Sequence, residues 1–384
     1  MQRRNFLKIL AATPGIAAFS CADREEAERL ADDRSPLSDA DLTWHKAPCR
    51  YCGTGCGVEA GVRDGKVMAV RGDEASPVNR GLLCVKGYHL PAFLYGEDRL
   101  LYPQLRDGDG WKRISWDEAL DLIASKYQEA LDQHGPESVA IYGSGQWTVF
   151  DGYAASKWFR GGLRSNNVEP NARLCMASAV TGFMTQFQSD EPMGCYEDFE
   201  AGDDFILWGN NMAEMHPVLF SRILETKRQR PGTRLVDIAT RRTPSSDYAD
   251  LYVEFIPGSD LALANGILHL LVQNGKVDQR FVEENVVFKR GIEDLDQIGY
   301  GCYGDNAERY TFKDKGRDAS FAELERFLAD YTPANVSKIS GVPEGQIRSL
   351  AEIYGDSDRG TVSLWCMGVN QHVRGTWMNN LITD

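Results

Sequence analysis

The chain has 384 residues, with 42 Lys and Arg against 56 Asp and Glu, so its formal net charge is −14. Hydrophobic residues make up 42% of the sequence, which excludes a disordered, collagen-like or disulfide-miniprotein class and predicts two to three domains. The acidic balance also argues against a nucleic-acid partner, because phosphate binding needs a basic face.

The first segment reads as an export signal. Arg3 and Arg4 precede an apolar run over 9–20 that is too short to span a membrane. The pattern resembles a twin-arginine signal, and the alternative is an ordinary amphipathic N-terminus. We predict a signal over 1–30 and a linker over 31–43. A periplasmic location follows, with the twin-arginine translocase and a maturation chaperone as partners and no stable membrane span.

Four of the nine cysteines form the strongest motif of the chain. They are Cys49, Cys52, Cys56 and Cys84. Three closely spaced cysteines followed by a distant fourth cysteine favour a [4Fe-4S] cluster, while structural zinc and disulfides remain alternatives. We therefore predict a small cluster domain over 44–100. Lys86 follows the fourth cysteine, where a cation could tune the cluster or contact an anionic cofactor, although a plain surface lysine is the simpler interpretation.

Beyond residue 100 the sequence alternates between strand and helix patterns. Ser115 and Glu118 form a capping box that opens a helix ending at Gly135. Buried strands are predicted over 138–142, 205–208, 235–239, 252–256 and 362–365. Helices are predicted at roughly 216–229, 261–275, 320–331 and 343–354. This alternation predicts an α/β fold with a mostly parallel sheet.

The loops after these strands are rich in Gly, Asn, Ser and Asp. Ligands of parallel sheets bind outside the carboxyl ends of the strands, where backbone N–H groups can hold phosphates. No G-x-G-x-x-G follows a first strand, and any one of these loops could be a plain turn. Five such loops in succession favour a ligand-binding site at the carboxyl ends of the strands.

Cys175 alone would be interpreted as a buried free cysteine. Together with the cysteine motif, however, its segment resembles the metal-ligand segment of the molybdopterin oxidoreductases, and within them the catalytic subunits of periplasmic nitrate reductases. The matching stretches are 47–57, 78–87, 143–147, 165–172, 190–196, 207–217 and 367–377. The resemblance covers the chain from about residue 44 onward.

The resemblance implies a multi-domain architecture: the cluster domain, a first α/β domain over 101–170 and 336–384, and a second, dinucleotide-binding α/β domain over 171–335. Relative to the family, we expect the first α/β domain to be incomplete and the C-terminal pterin-closing domain to be absent. We also expect this polypeptide alone to fold poorly and to have little activity unless another chain completes it.

The resemblance also implies the cofactors, a [4Fe-4S] cluster and a molybdenum bis(molybdopterin guanine dinucleotide). Cys175 would be the metal ligand, the four cysteines would hold the cluster, and Lys86 would lie on the electron path. The implied cofactor contacts are Lys86, Gln146, Asn171, Cys175, Trp208, Gly209, Asn210, Asn211, Met212, Ala213, Glu214, Met215, Ala239, Thr240, Arg241, Arg242, Thr243, Gly258, Ser259, Asp260, Met367 and Gln371. Arg374 is a further catalytic candidate that could hold an anion near the metal.

The implied reaction is the reduction of nitrate to nitrite by oxygen-atom transfer, with electrons from a di-haem c-type cytochrome. A formate dehydrogenase-like enzyme or another molybdopterin oxidoreductase is the alternative, but Met176 rather than a histidine follows Cys175. A second alternative is an inactive truncated fragment that only binds cofactor or carries electrons.

Overall fold

A computed structural model describes residues 38–191, 193–290 and 317–383. The predicted signal over 1–30 lies outside the described residues. In the predicted linker, residues 38–43 form a capped 3₁₀ turn, Asp39–Asp41, that leads into the first strand. None of the described helices is long and apolar enough to cross a membrane.

The described chain divides into two units. The first contains the described residues up to Cys49, together with Cys56–Ser76 and Arg80–Gly96; the second contains Arg50–Gly55, Pro77–Asn79 and the described residues from Glu97 onward. The first unit is built on an antiparallel sheet of β1 (Thr43–Pro48), β2 (Gly57–Arg63) and β3 (Lys66–Gly72), followed by helix α1 (Val85–Tyr88).

The second unit begins with one helix of 19 residues among shorter elements. They are β4 (Gln104–Asp107), β5 (Gly110–Arg113), α2 (Trp116–His134), β6 (Ile141–Tyr142), α3 (Val149–Ser156), a π-helix (Lys157–Leu163), β7 (Val168–Glu169), α4 (Ala172–Cys175), α5 (Ala177–Phe187) and α6 (Asp198–Ala201). Helix α2 is confirmed: Ser115 accepts a hydrogen bond from the Glu118 amide at 3.1 Å, and Gly135 ends the helix at φ 76°.

The remainder of the second unit is the α/β core. Its elements are β8 (Asp204–Trp208), α7 (Met212–Met215), α8 (Pro217–Gln229), β9 (Arg234–Ala239), β10 (Leu251–Glu254), α9 (Asp260–Gln273), α10 (Gln279–Asn285), β11 (Lys289–Arg290), β12 (Arg317–Asp318), α11 (Phe321–Leu328), α12 (Pro333–Ser340), α13 (Glu344–Tyr354), β13 (Thr361–Trp365), α14 (Met367–Asn370) and α15 (Gly375–Leu381).

The central sheet has the strand order β10-β9-β8-β13, and all three strand pairs are parallel. Successive side chains of a strand point to opposite faces. On β8, Ile206 and Trp208 therefore pack with α9, α12 and α13, whereas Phe205 and Leu207 pack with α8. The predicted α/β class with a parallel sheet is confirmed as a layer of strands between two layers of helices.

One predicted strand differs from this fold. The buried strand over 138–142 is wrong: Pro136–Ser138 is a 3₁₀ turn, only Ile141–Tyr142 is a strand, and Tyr142 is 59% exposed. Strand β13 pairs along its whole length with β8, so the central sheet contains residues from both predicted α/β domains, and their division stays a prediction. The paired residues are 157 positions apart, and no local sequence signal predicts such a pairing.

Candidate functional site

The direction in which the chain adds strands to the central sheet reverses between β8 and β13. From β8 the chain moves outward to β9 and β10, and it then returns to place β13 on the other side of β8. Such a switch point opens a crevice because the loops of the two neighbouring strands leave in opposite directions. Here the loops after β8 and β13 also touch, since the Gly368 amide donates to the Gly209 carbonyl at 3.2 Å.

Cys175 lies at the end of α4 and contacts the loop after β13. The side-chain amide of Gln371 donates to Cys175 Sγ at 3.3 Å, and Met367 Sδ lies 4.0 Å from the same sulfur. Three residues predicted to contact the cofactor are therefore brought together, although 196 positions separate the cysteine from the glutamine. The Cys175 side chain is half-buried.

Asn370 is a site residue that the sequence analysis missed. It is 2% exposed; its Nδ2 donates to the Cys175 carbonyl, and its Oδ1 accepts from the Ala179 amide at 2.7 Å. These bonds fix the turn between α4 and α5 that presents the thiol. The only feature of the sequence that could have indicated a role for Asn370 is its position between Met367 and Gln371. The nearby Cys366 is also half-buried, and burial raises the pKa of its thiol.

The loop after β8 contains an unsatisfied polar atom. Asn210 is 6% exposed, and its Oδ1 has no hydrogen-bond partner among the described residues. Beside it, Asn211 Oδ1 accepts from Ser245 at 3.1 Å, and the same hydroxyl accepts from the Ala213 amide at 2.9 Å. A buried acceptor without a donor is costly, so a ligand donor at this position would be stabilising.

The segment 212–215 that follows is helix α7. Met212 is buried in the core, and Asn211 donates to the exposed Glu214. Met215 is 47% exposed, whereas Trp208, at the end of β8, is buried. Of the predicted contacts in this segment, Met212 and Trp208 are therefore core residues, and the polar positions are the ones available to a ligand.

The loop after β9 is cationic at the surface. Arg241 and Arg242 are exposed, as is Thr240, while Ala239 is buried. The Arg242 guanidinium lies 4.9 Å from the ring centre of Tyr252 and 3.4 Å from Asp247. Two exposed guanidinium groups at a sheet edge suit a phosphate.

Under this loop lies a buried carboxyl group. Burial raises the pKa of Asp237, and the hydroxyl of Ser246, which donates to it at 2.5 Å, opposes that rise. Ser246 Oγ in turn accepts from the Thr243 amide at 2.8 Å. The arrangement fixes the position of the cationic loop from below.

The loop after β10 leads into α9. Gly258 has φ 85°, and Ser259 donates to the Ile256 carbonyl at 2.6 Å. Asp260 is 4% exposed, and its Oδ2 lies 2.8 Å from His372 Nε2, which is ion-pair distance but poorly aligned for a hydrogen bond. A predicted cofactor contact is thus already paired, and His372 is a second residue that the sequence analysis missed.

The other predicted contacts lie in the first half of the second unit. Asn171 comes directly before α4, and its Oδ1 would lie 3.0 Å from a Cβ placed on Gly145. Gln146 is exposed, and its carbonyl accepts from Arg50 at 3.2 Å. Arg374 is exposed with φ 73°, in the left-handed region, three residues after Gln371.

The cysteine motif has backbone features of a tight loop. The Cys49 amide donates to the Cys56 carbonyl at 2.8 Å, and Cys84 caps helix α1, which contains Lys86. All four cysteines are free, so the disulfide alternative has no support. Among the described residues, no three His, Cys, Asp or Glu side chains are placed to share one metal ion.

The edge as a whole fits a soft metal held by an anionic organic cofactor. A thiol suits a soft metal, the orphan acceptor Asn210 suits a cofactor N–H or O–H, and Arg241 and Arg242 suit phosphates.

Comparison with known proteins identifies the family. Residues 99–384 match the family described as molybdopterin oxidoreductase, and residues 42–96 match its Fe4S4 domain. This chain belongs to the molybdopterin oxidoreductases. The two matches support a molybdopterin cofactor and a [4Fe-4S] cluster, and the second favours a cluster over zinc at the cysteine motif.

Among solved structures, this molybdopterin oxidoreductase chain is similar to the acetylene hydratase of Pelobacter acetylenicus. The TM-score is 0.64 at 22% identity, and the match covers 88% of this chain and 42% of that chain. At this identity the likeness shows the fold alone. The chain spans less than half the length of that structural neighbour.

Proposed function

We propose that this chain reduces nitrate to nitrite at a molybdenum centre held by Cys175. The observation that carries the proposal is the position of that thiol at the switch point of the sheet, in contact with Gln371 and Met367. A bound molybdenum cofactor supplies oxygen-atom transfer: one oxygen leaves nitrate, and two electrons with two protons complete the turnover as water.

The side chains around Cys175 orient the ligand. The Gln371 amide donates to the sulfur, which stabilises a thiolate, and Asn370 holds the carbonyl of the same residue. A ligand whose backbone and sulfur are both hydrogen-bonded has one preferred direction toward the metal.

The strand-end loops would bind the guanine dinucleotide form of the cofactor. Arg241 and Arg242 provide cationic donors for its phosphates, and Asn210 Oδ1 provides a buried acceptor that has no donor within the described part of the chain. Asn171 and Gln146, placed near α4, complete the set that the resemblance assigns.

Arg374 would hold the substrate. Its exposed guanidinium is a planar, permanently charged donor that can make paired hydrogen bonds with the oxygens of a planar anion such as nitrate. The residue follows Gln371 by three positions, on the segment that contacts Cys175.

Electrons would enter through the cluster held by Cys49, Cys52, Cys56 and Cys84, with Lys86 on the path to the pterin. The spacing of the cysteines and the Fe4S4 family match support the cluster. The di-haem cytochrome donor, the maturation chaperone, twin-arginine export and the periplasmic location are proposed from the resemblance and the N-terminal segment.

The test combines metal content and activity. The full chain is expressed in a molybdenum-replete host and purified without oxygen, and viologen-driven reduction of nitrate is measured. About one molybdenum and about four irons per chain, with nitrite as product, would support the proposal and would overturn the expectation that this chain needs a second chain for activity. Iron without molybdenum or nitrite would overturn nitrate reduction by this chain, and oxidation of formate instead would establish the alternative enzyme.

Two cysteine variants locate the metal. Cys175→Ser should lose molybdenum and nitrite formation while retaining iron. Cys195→Ser is the matched control, since Cys195 is exposed and the only hydrogen bond described for its side chain is to the Asp198 carboxylate, with the Sγ at 3.7 Å. Equal rates of nitrite formation in the two variants would contradict the ligand role of Cys175.

A further inference from the structure

The loop between the first cysteines contains a hydroxyl group beside a proposed cluster ligand. Cys52 Sγ and Thr54 Oγ1 are 3.3 Å apart, and Thr54 is 3% exposed. A neutral thiol donates in this contact. A metal-bound thiolate has no proton, so the hydroxyl must then become the donor to the sulfur.

The same threonine is held in place from the α/β core. The Tyr196 hydroxyl donates to the Thr54 carbonyl at 3.1 Å and lies 3.5 Å from the Gly53 carbonyl. Its ring stacks on Phe199 with the two ring centres 5.9 Å apart. Tyr196 therefore fixes the peptide on which the Thr54 side chain is mounted.

A buried arginine fixes the tyrosine in turn. Arg222 is 7% exposed and donates to the Tyr196 carbonyl at 2.7 Å, to the Val78 carbonyl at 3.2 Å and to Glu200 at 2.6 Å. Because the guanidinium is compensated by Glu200, it can serve as a rigid support inside the core. Arg222 therefore anchors the main chain of Tyr196, and the hydroxyl of the same tyrosine anchors the cysteine loop.

We propose that Thr54 donates a hydrogen bond to the Cys52 thiolate and thereby raises the reduction potential of the cluster, with Tyr196 as the residue that positions it. The inference rests on the proposed [4Fe-4S] site and deepens it. One-electron reduction adds negative charge to the cluster and its thiolates. A hydrogen bond to a ligand sulfur stabilises that charge and therefore favours the reduced state.

A purely structural role for Thr54 predicts something different. If the hydroxyl only stabilised the loop, its removal would change iron content or thermal stability but leave the potential of the assembled cluster unchanged. Two measurements therefore distinguish tuning of the cluster from a purely structural role of Thr54. They are the reduction potential of the cluster and the presence of an exchangeable proton near it.

The experiment uses the full chain purified without oxygen. Wild type, Thr54→Val, Thr54→Ser and Tyr196→Phe are titrated with dithionite, and the reduced cluster is followed by electron paramagnetic resonance. Tyr248→Phe is the matched control, because Tyr248 is 53% exposed and packs edge-on against Phe220. Electron–nuclear double resonance after exchange into D₂O reports the proton.

We expect Thr54→Val to lower the potential and to lose the exchangeable proton signal. Thr54→Ser should keep both, Tyr196→Phe should lower the potential by a smaller amount, and Tyr248→Phe should match wild type. An unchanged potential in Thr54→Val with full iron content would overturn the proposal.

Two further outcomes are decisive. If Thr54→Val assembles no cluster, the reduction potential of Tyr196→Phe tests the proposal instead. A wild-type potential in Tyr196→Phe would then overturn the proposal. A wild-type chain that binds no iron overturns the cluster site itself, and this outcome is distinct from an assembled cluster whose potential does not respond.

Discussion

Gly209 and Gly368 meet backbone to backbone where the loops after β8 and β13 cross. A Cβ on Gly368 would lie 2.6 Å from the Gly209 carbonyl oxygen, and a Cβ on Gly209 would lie 2.9 Å from the Gly368 Cα. Neither neighbour is a flexible side chain that could move aside. The contact between the loop after β8 and helix α14 therefore depends on two residues without side chains that are 159 positions apart in the chain.

Gly368→Ala should separate these loops and destabilise the chain. The clash resembles overpacking of a core, which costs about 1–3 kcal/mol. We expect a lower urea midpoint and less bound molybdenum. Gly345→Ala is the matched control, because Gly345 lies in helix α13 with nothing within 4 Å of its Cβ position. Equal midpoints for the two variants would contradict this account.

Asn370→Ala should destabilise the chain and loosen the Cys175 turn. The substitution leaves the Cys175 carbonyl and the Ala179 amide without their partner, and each unsatisfied buried group costs about 1–3 kcal/mol. Urea unfolding measures the loss, and Asn285→Ala on exposed α10 is the control, since that side chain bonds only to the Phe281 carbonyl among the described residues. A small, equal effect of both variants would show that Asn370 is dispensable.

At the opposite edge of the sheet, Asp204 is the first residue of β8 and is held by Arg234 and Arg359. Burial alone would raise the pKa of Asp204, but hydrogen bonds from Arg234 and Arg359 outweigh it and lower the pKa to about 2. A lowered pKa contributes stability above the unfolded value near 3.8, and that stability is lost as the pH falls toward 2. Asp204→Asn should therefore cost about 2 kcal/mol at pH 7 and less at pH 3.

Glu225→Gln is the control for that pH profile. Glu225 also has its pKa lowered to about 2, by Arg228 first and by Gln229. Its carboxylate lies in solvent, so salt screens the pair and unfolding should change little. Urea unfolding of both variants at pH 7 and pH 3, with and without salt, makes the comparison. A pH-independent loss in Asp204→Asn would show that packing rather than charge is lost.

Much of the α/β core could be predicted because its signals are local. Strand β8 is an apolar run over 205–208, strand β9 is apolar apart from Arg234 and Asp237, and Ser115 and Gly135 mark the ends of α2. Cys175, Met367 and Gln371 could be grouped only through family resemblance, since no local pattern joins positions on α4 and the loop after β13. The structure then shows them in contact.

The missed features depend on tertiary contacts. Helix α12 (Pro333–Ser340) is short and was not predicted, although Thr332 caps it. Asn370 and His372 gain their roles from distant partners, Ala179 and Asp260, which the sequence does not indicate. The two-residue strand β6 was overpredicted because an apolar run of five residues has the same composition whether or not a sheet is available.

The pair of His372 and Asp260 predicts a pH-dependent stability. The contact with Asp260 raises the pKa of His372 above 6.5. A raised pKa contributes stability that is complete below the unfolded value and is lost as the pH rises through the folded value. In chain produced without molybdate, Asp260→Asn should therefore lower the urea midpoint more at pH 6 than at pH 9. His134→Gln, at the exposed end of α2, should change neither midpoint. If the loss in Asp260→Asn is the same at both pH values, His372 is neutral in the folded chain and the carboxylate acts there only as a hydrogen-bond acceptor.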